Sequence, residues 1–249
     1  VGFKRFLLEN ENQEYILERQ GGGGGAEAGQ YEIVKTPIQT AVKLVNDVYK
    51  NNHTVSPKKL LPDFVKNYRY AQQLATLGKT QRKDMPVIRR SDAFMLQRRL
   101  ERGSIDMKAP FAKNTDPTNP FPEGLPKELA TKWLTNGWRD GKFSDDMVKC
   151  YHDTKPAGSL KPIQQQIYLD KALSFGLRFQ KDEFQKMVGN SFMISSKDNF
   201  IVDGHHRWLF AVLLDPKIKM STLVIDLPLN ELLKMLLTYS DAIGNVRNK

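Results

Sequence analysis

Apolar residues recur at helical spacing along most of this chain and change to strand-like runs mainly in its last quarter. From Pro37 onward Ala41, Val42, Val45, Val48 and Tyr49 mark one helix, with Pro37 after Thr36 suited to its start. A second helix is expected over 57–77, where Leu60, Leu61, Phe64, Val65, Tyr68, Ala71 and Leu74 form a broad apolar face ended by Gly78. The piece 85–88 reads as a short strand. It precedes a helix capped by Ser91 or Asp92 that carries Phe94, Met95, Leu96 and Leu100. Pro126 opens a further helix with Leu129, Ala130, Trp133, Leu134 and Trp138, whose tryptophans read as core. Residues 139–160 give no clear pattern. Lys161 and Pro162 read as the start of a helix running to Phe175, and Phe184, Met187 and Val188 mark a shorter one stopped by Gly189.

Beyond Gly189 the period shortens. Runs at 192–195 and 200–202, separated by the turn-forming Ser196, Lys197, Asp198 and Asn199, read as a hairpin. An apolar helix at 208–214, a strand at 222–225 and a helix at 229–237 follow, with 241–249 as a frayed tail. No internal repeat is visible. The sum is an α/β domain with a small mixed sheet and a large helical share. Its divisions are an N-terminal segment at 1–30, a helical region at 31–84, a main domain at 85–240 with a helical insertion at about 110–160, and the tail. Residues 1–20 read as a short amphipathic element, and Gly21 to Gly25 as a flexible link. The five prolines of 110–126 make that stretch a stiff loop.

Composition narrows the class. With 40% hydrophobic and 27% charged residues among 249, the chain is of the globular type, and no apolar run is long enough to cross a bilayer. A start without a methionine is what a processed chain or a fragment is expected to show. The single cysteine excludes an intrachain disulfide and a cysteine-rich zinc site, which fits a cytoplasmic setting. The net charge is +10, and residues 58–102 hold twelve Lys or Arg against four Asp or Glu, a balance of +8. Such a chain attracts polyanions, nucleic acid or nucleotide alike.

The chemistry concentrates where the second strand of the hairpin turns into the apolar helix: Asp203, Gly204, His205, His206 and Arg207, followed by Trp208. Gly204 permits a sharp turn, and the first helical turn presents unpaired N–H groups whose dipole favours an anion. Arg207 adds a fork-shaped donor suited to phosphate. Adjacent histidines diverge on a helix, so one would face a phosphate while the other packs or orients Asp203 or a substrate. An imidazole titrating near neutrality can donate a proton to a leaving oxygen. Asp203, His205 and His206 are the candidate catalytic residues. The spacing, with His152 remote, does not match a zinc-protease pair, and Mg²⁺ held mainly by phosphates fits better. The plain structural alternative has Asp203 capping the helix and both histidines on the surface.

This stretch resembles the Gly-x-His/Arg-Arg phosphate-binding motif of the ParB/sulfiredoxin superfamily. It is most similar to the Asp-Gly-His-His-Arg variant of its free-serine kinases. The resemblance implies that Gly204 is the turn glycine, His205 the variable position, His206 the His-or-Arg position and Arg207 the shared arginine. It extends loosely over 85–227, with 85–88 as the opening strand and Lys161 with Gln164 at a polar helix start flanking the nucleotide. Position 205 is not cysteine, so sulfinic-acid chemistry is not implied, and no DNA-reading helix-turn-helix follows the motif. The opening residues and helical additions are similar to accessory proteins of tailed phages, which would place the protein in a host cytoplasm.

Three functions follow as expectations. The first is a nucleotide-dependent phosphotransferase or hydrolase (kinase or ATPase) using ATP or ADP, or CTP, with Mg²⁺. Gly204, His205, His206, Arg207, Lys161 and Gln164 would hold the nucleotide, and Asp203 and Asp226 would orient a hydroxyl or water. The second is a DNA-binding protein or nuclease whose basic 58–102 stretch tracks a backbone while Tyr68 and Tyr70 stack on bases. The third is a non-catalytic interaction protein that retains the phosphate pocket.

Overall fold

Alternation along the strands assigns the two faces of one sheet. The computed structural model describes residues 29–52, 56–108, 126–139 and 141–245. The expected element at 1–20, the glycine run, nearly all of the proline loop and the end of the tail lie outside the described residues. Strands β1 (Cys150–Pro156), β2 (Lys161–Pro162), β3 (Met193–Ser196), β4 (Phe200–Ile201) and β5 (Lys219–Ile225) lie in the order β1-β5-β3-β4-β2. The sheet is mixed: β3 runs parallel to β5 and antiparallel to β4, β1 is antiparallel to β5, and β2 is parallel to β4.

Met193, Ile201 and Met220 point to one apolar cluster, and their neighbours Ile194, Val202, Leu223 and Ile225 to the other. The first face is covered by α1 (Ile38–Tyr49), α2 (Pro57–Ala75), α5 (Leu169–Leu173), α6 (Lys181–Asn190) and α7 (His205–Leu214). The second is covered by α3 (Arg90–Glu101), α4 (Lys127–Asn136) and α8 (Leu229–Ala242). This is an α/β fold with a small mixed sheet between two helical layers. A strand buried on both faces reads as an unbroken apolar run, which is why 222–225 was plain in the sequence. The α7 helix buries eight of its ten residues, so it is a core helix rather than an amphipathic one. No helix among the described residues is long and apolar enough to cross a membrane.

Several expectations are corrected. Residues 85–88 form no strand, because the Val87 N–H and C=O are taken by Ser240 Oγ at 3.1 Å each, with Asn245 Nδ2 also on Val87 O. Lys161 and Pro162 do not start a helix: they pair with Phe200 and Ile201 as an edge strand, and the Ile163 carbonyl accepts from the Lys79 and Thr80 N–H groups. Helix begins only at Leu169 and ends as a 3₁₀ turn over Ser174–Leu177. Within the expected helical insertion, residues 150–156 are the β1 edge strand, whose polar, lysine-bearing sequence shows no hydrophobic alternation. On α3 the N-cap is Arg89, whose N–H is accepted by Asp92. The tail is ordered at its start, since α8 reaches Ala242 and Asn245 bonds Asp92. Trp133 is core, but Trp138 is 56% exposed with its indole N–H on the Arg102 carbonyl.

Candidate functional site

The chain leaves β4 and enters α7 through Gly204, whose φ of 80° lies in the left-handed region. A Cβ at this position would sit 2.7 Å from Met193 Sδ, so glycine is required for both backbone and space. Gly204→Ala is therefore expected to cost about 1–2 kcal/mol from backbone strain alone, before any displacement of Met193. Urea unfolding of the variant checks this, and stability equal to wild type would contradict the assigned geometry.

No side chain caps the first turn of α7, so its N–H groups and positive dipole end face the cleft. Asp203 is thus not the helix cap. Its Oδ2 lies 3.4 Å from Arg207 Nη2, and Arg207 Nη1 donates to Ser191 Oγ at 3.1 Å. Arg207 is thereby held half-buried at the cleft wall, aimed by Asp203 and by the end of α6.

The two histidines diverge as their adjacency requires, but neither is a surface residue ready to exchange a proton. His205 is 4% exposed, and its Nε2 accepts the N–H groups of Ile163 and Gln164 at 3.3 Å each. Burial, opposed in part by the Ile201 backbone, pushes its pKa down to about 3. His205 is thus a bracket joining α7 to the 163–164 backbone. His206 lies at the cleft, accepts the Tyr168 N–H at 3.3 Å and stacks parallel to the Tyr168 ring at 6.3 Å. Burial first, then the positive fields of its neighbours, Arg82 and Lys171 among them, push its pKa down to about 3. It too is a neutral imidazole near pH 7, an acceptor rather than a general acid.

The cleft has a volume of about 290 Å³. Asp203, Gly204, His205, His206, Arg207 and Gln164 line it together, as expected from the sequence. Gln164 turns its amide onto the Gln166 carbonyl. Lys161 does not belong to this lining, because β2 turns its ammonium over the Phe200 ring, 5.0 Å from the centroid. Asp226 lies outside it as well, 4.0 Å from the Lys197 ammonium. His152 is on β1 against the Phe192 ring.

Sequence reasoning did not single out three cations of the cleft: Arg82, Lys171 and Arg178. Arg82 arrives on a strap that follows Gly78, where a Cβ would lie 2.1 Å from the Gln164 carbonyl oxygen. The strap is fixed by the Arg82 N–H on Gln166 Oε1 at 2.9 Å and by the Gln165 N–H on the Thr80 carbonyl at 2.8 Å. Phe175, Phe179, Met187 and Pro86 supply an apolar part of the wall. Among the described residues Asp203 is the one carboxylate in the lining. Of the tyrosines suggested for base stacking, Tyr68 is buried with its hydroxyl on the Thr36 carbonyl, and the Tyr70 hydroxyl is bonded to the Gly158 carbonyl.

Compared with models of protein families, with curated proteins and with solved structures, the chain gives no match. Fold and site together define an α/β protein with a cationic cleft at a glycine-mediated strand-to-helix turn.

Proposed function

We propose that the cleft binds the phosphates of a nucleotide and that the protein is a nucleotide-dependent phosphotransferase or nucleotide hydrolase. One observation carries this reading: Arg82, Lys171, Arg178 and Arg207, brought from three segments, line one cavity at an uncapped helix N-terminus with a single carboxylate among them. Such a concentration of half-buried positive charge is stabilised by an anion, and phosphoryl transfer asks chiefly for alignment and charge neutralisation. The apolar wall at Phe175 and Phe179 suits a base, and the resemblance of residues 203–207 to the ParB/sulfiredoxin motif points the same way. Asp203 orients a hydroxyl or water. It is also the lining carboxylate available to Mg²⁺ that arrives with the phosphates, an ion that would neutralise charge on the transferring group.

Isothermal titration against ATP, ADP and CTP with Mg²⁺ tests this reading. Binding of at least one, followed by its turnover to a product with one phosphate fewer, is the expected result. Absence of binding to all three removes the proposal.

A further inference from the structure

Arg207 and Arg82 line the same cleft but are placed in different ways. The Arg207 guanidinium is itself aimed, by Ser191 and Asp203. Among the described residues no hydrogen bond or ion pair holds the Arg82 guanidinium, so its place in the cleft is set by its backbone. That backbone belongs to the strap. Lys79 and Thr80 donate to the Ile163 carbonyl at 2.9 Å each and Gln165 donates to the Thr80 carbonyl at 2.8 Å, which fixes the strap as far as Thr80. Beyond it the chain makes a 3₁₀ turn, Arg82–Asp84, with Gln81 and Lys83 exposed. Its backbone bonds are local, from the Asp84 N–H to the Gln81 carbonyl and from the Met85 N–H to the Arg82 carbonyl. The tie from this turn to the 163–168 segment is the Gln166 side chain, whose Oε1 accepts the Arg82 N–H at 2.9 Å.

Gln166 is itself firmly anchored. Its segment is pinned to the first turn of α7 on both sides, by His205 on the Ile163 and Gln164 N–H groups and by His206 on the Tyr168 N–H, each at 3.3 Å. Its own carbonyl accepts from the Gln164 side chain. The Gln166 amide therefore carries the position of α7 across to Arg82, although Gln166 does not line the cleft. An exposed turn that loses its long-range tie opens locally, and a cation that is not held in place contributes less to binding. We infer that Gln166 is a positioning residue, which holds Arg82 where its guanidinium meets the phosphates.

This inference rests on the phosphate-binding reading of the cleft, and its test separates the two. ATP, ADP and CTP with Mg²⁺ are titrated into wild type, Gln166→Met, Arg82→Ala and the double variant, with the melting temperature and far-UV circular dichroism recorded for each. Methionine keeps the length of glutamine and removes the acceptor oxygen. Arg82→Ala should weaken the nucleotide that binds wild type about tenfold or more, and Gln166→Met about three- to tenfold while melting within a few degrees of wild type. In the Arg82→Ala background Gln166→Met should change affinity less than about twofold, because the residue it positions is gone. A residue that merely supports the fold would cost the same factor in both backgrounds, and that result overturns the inference. Full wild-type affinity in Gln166→Met overturns it too. So does full affinity in Arg82→Ala, which leaves the phosphate site at Arg207 standing. Failure of wild type to bind any of the three nucleotides overturns both readings. Gln166→Leu carries the cycle if Gln166→Met does not fold.

Discussion

Trp208→Ala should lower the free energy of unfolding by about 3–5 kcal/mol, the usual range for removing a large aromatic side chain from a core. Trp208 has no exposed surface, and its indole N–H donates to the Ala157 carbonyl at 2.9 Å. The substitution therefore leaves a cavity in the cluster that joins α1, α2, α5 and α7 to the sheet, and it strands a buried carbonyl. Domains of this kind are held by roughly 5–15 kcal/mol in total, so a large part of the stability goes. Urea unfolding followed by fluorescence and by far-UV circular dichroism gives the value. A loss below about 1 kcal/mol would mean that α7 is not the core helix described.

Acid should unfold the protein early, because two histidines are held neutral. His205 and His206 have folded pKa values of about 3 against an ordinary value of 6.5. Between these values the unfolded chain binds protons that the native state refuses, so stability is complete above pH 6.5 and falls as pH drops below it. Each fully neutral histidine contributes a slope of about 1.4 kcal/mol per pH unit in that window. His205, enclosed by the Ile163, Gln164 and Ile201 backbone, should show most of its slope, and His206, half-buried at the cleft, less. Denaturant midpoints measured from pH 7.5 to pH 5, above the range where carboxylates dominate, test the slope. His205→Gln should flatten the profile. A midpoint independent of pH over this range would show solvated imidazoles.

The parts of this site that were legible in the sequence were those encoded locally. The change of apolar period after Gly189, the turn composition at 196–199 and the glycine before an apolar run gave β3, β4 and α7 with Gly204 at the turn. Asp203, Gly204 and Arg207 were found for the same reason. Which of the two histidines packs is encoded in helical spacing: positions 208, 209 and 212, on the face of His205, are all apolar and buried, which places His205 in the core. Residues 161–168 read as helix because their apolar spacing fits one, whereas the bonds that hold them extended come from His205, Lys79 and Thr80, far away in sequence. The β1 strand was invisible because an exposed edge needs no apolar alternation. Arg82 lies about ninety residues before the stretch that carries Lys171 and Arg178, and only the fold brings them to one cavity with Arg207.

The central claim is that Arg207 and the α7 N-terminus hold phosphate. Losing the guanidinium should cost about 1.5–3 kcal/mol of binding, or roughly ten- to a hundredfold in affinity. The fold should lose only about 1 kcal/mol, the scale of the Ser191 hydrogen bond and the half-exposed Asp203 pair. The direct measurement is the melting temperature of wild type and Arg207→Ala with and without ATP, ADP or CTP plus Mg²⁺, since a ligand that binds only the native state raises it. The account predicts a clear ligand-induced rise in wild type that is largely lost in a variant melting within a few degrees of it. A variant that melts far below wild type yet keeps the full ligand-induced rise would contradict it, making Arg207 a structural residue and placing the phosphates elsewhere.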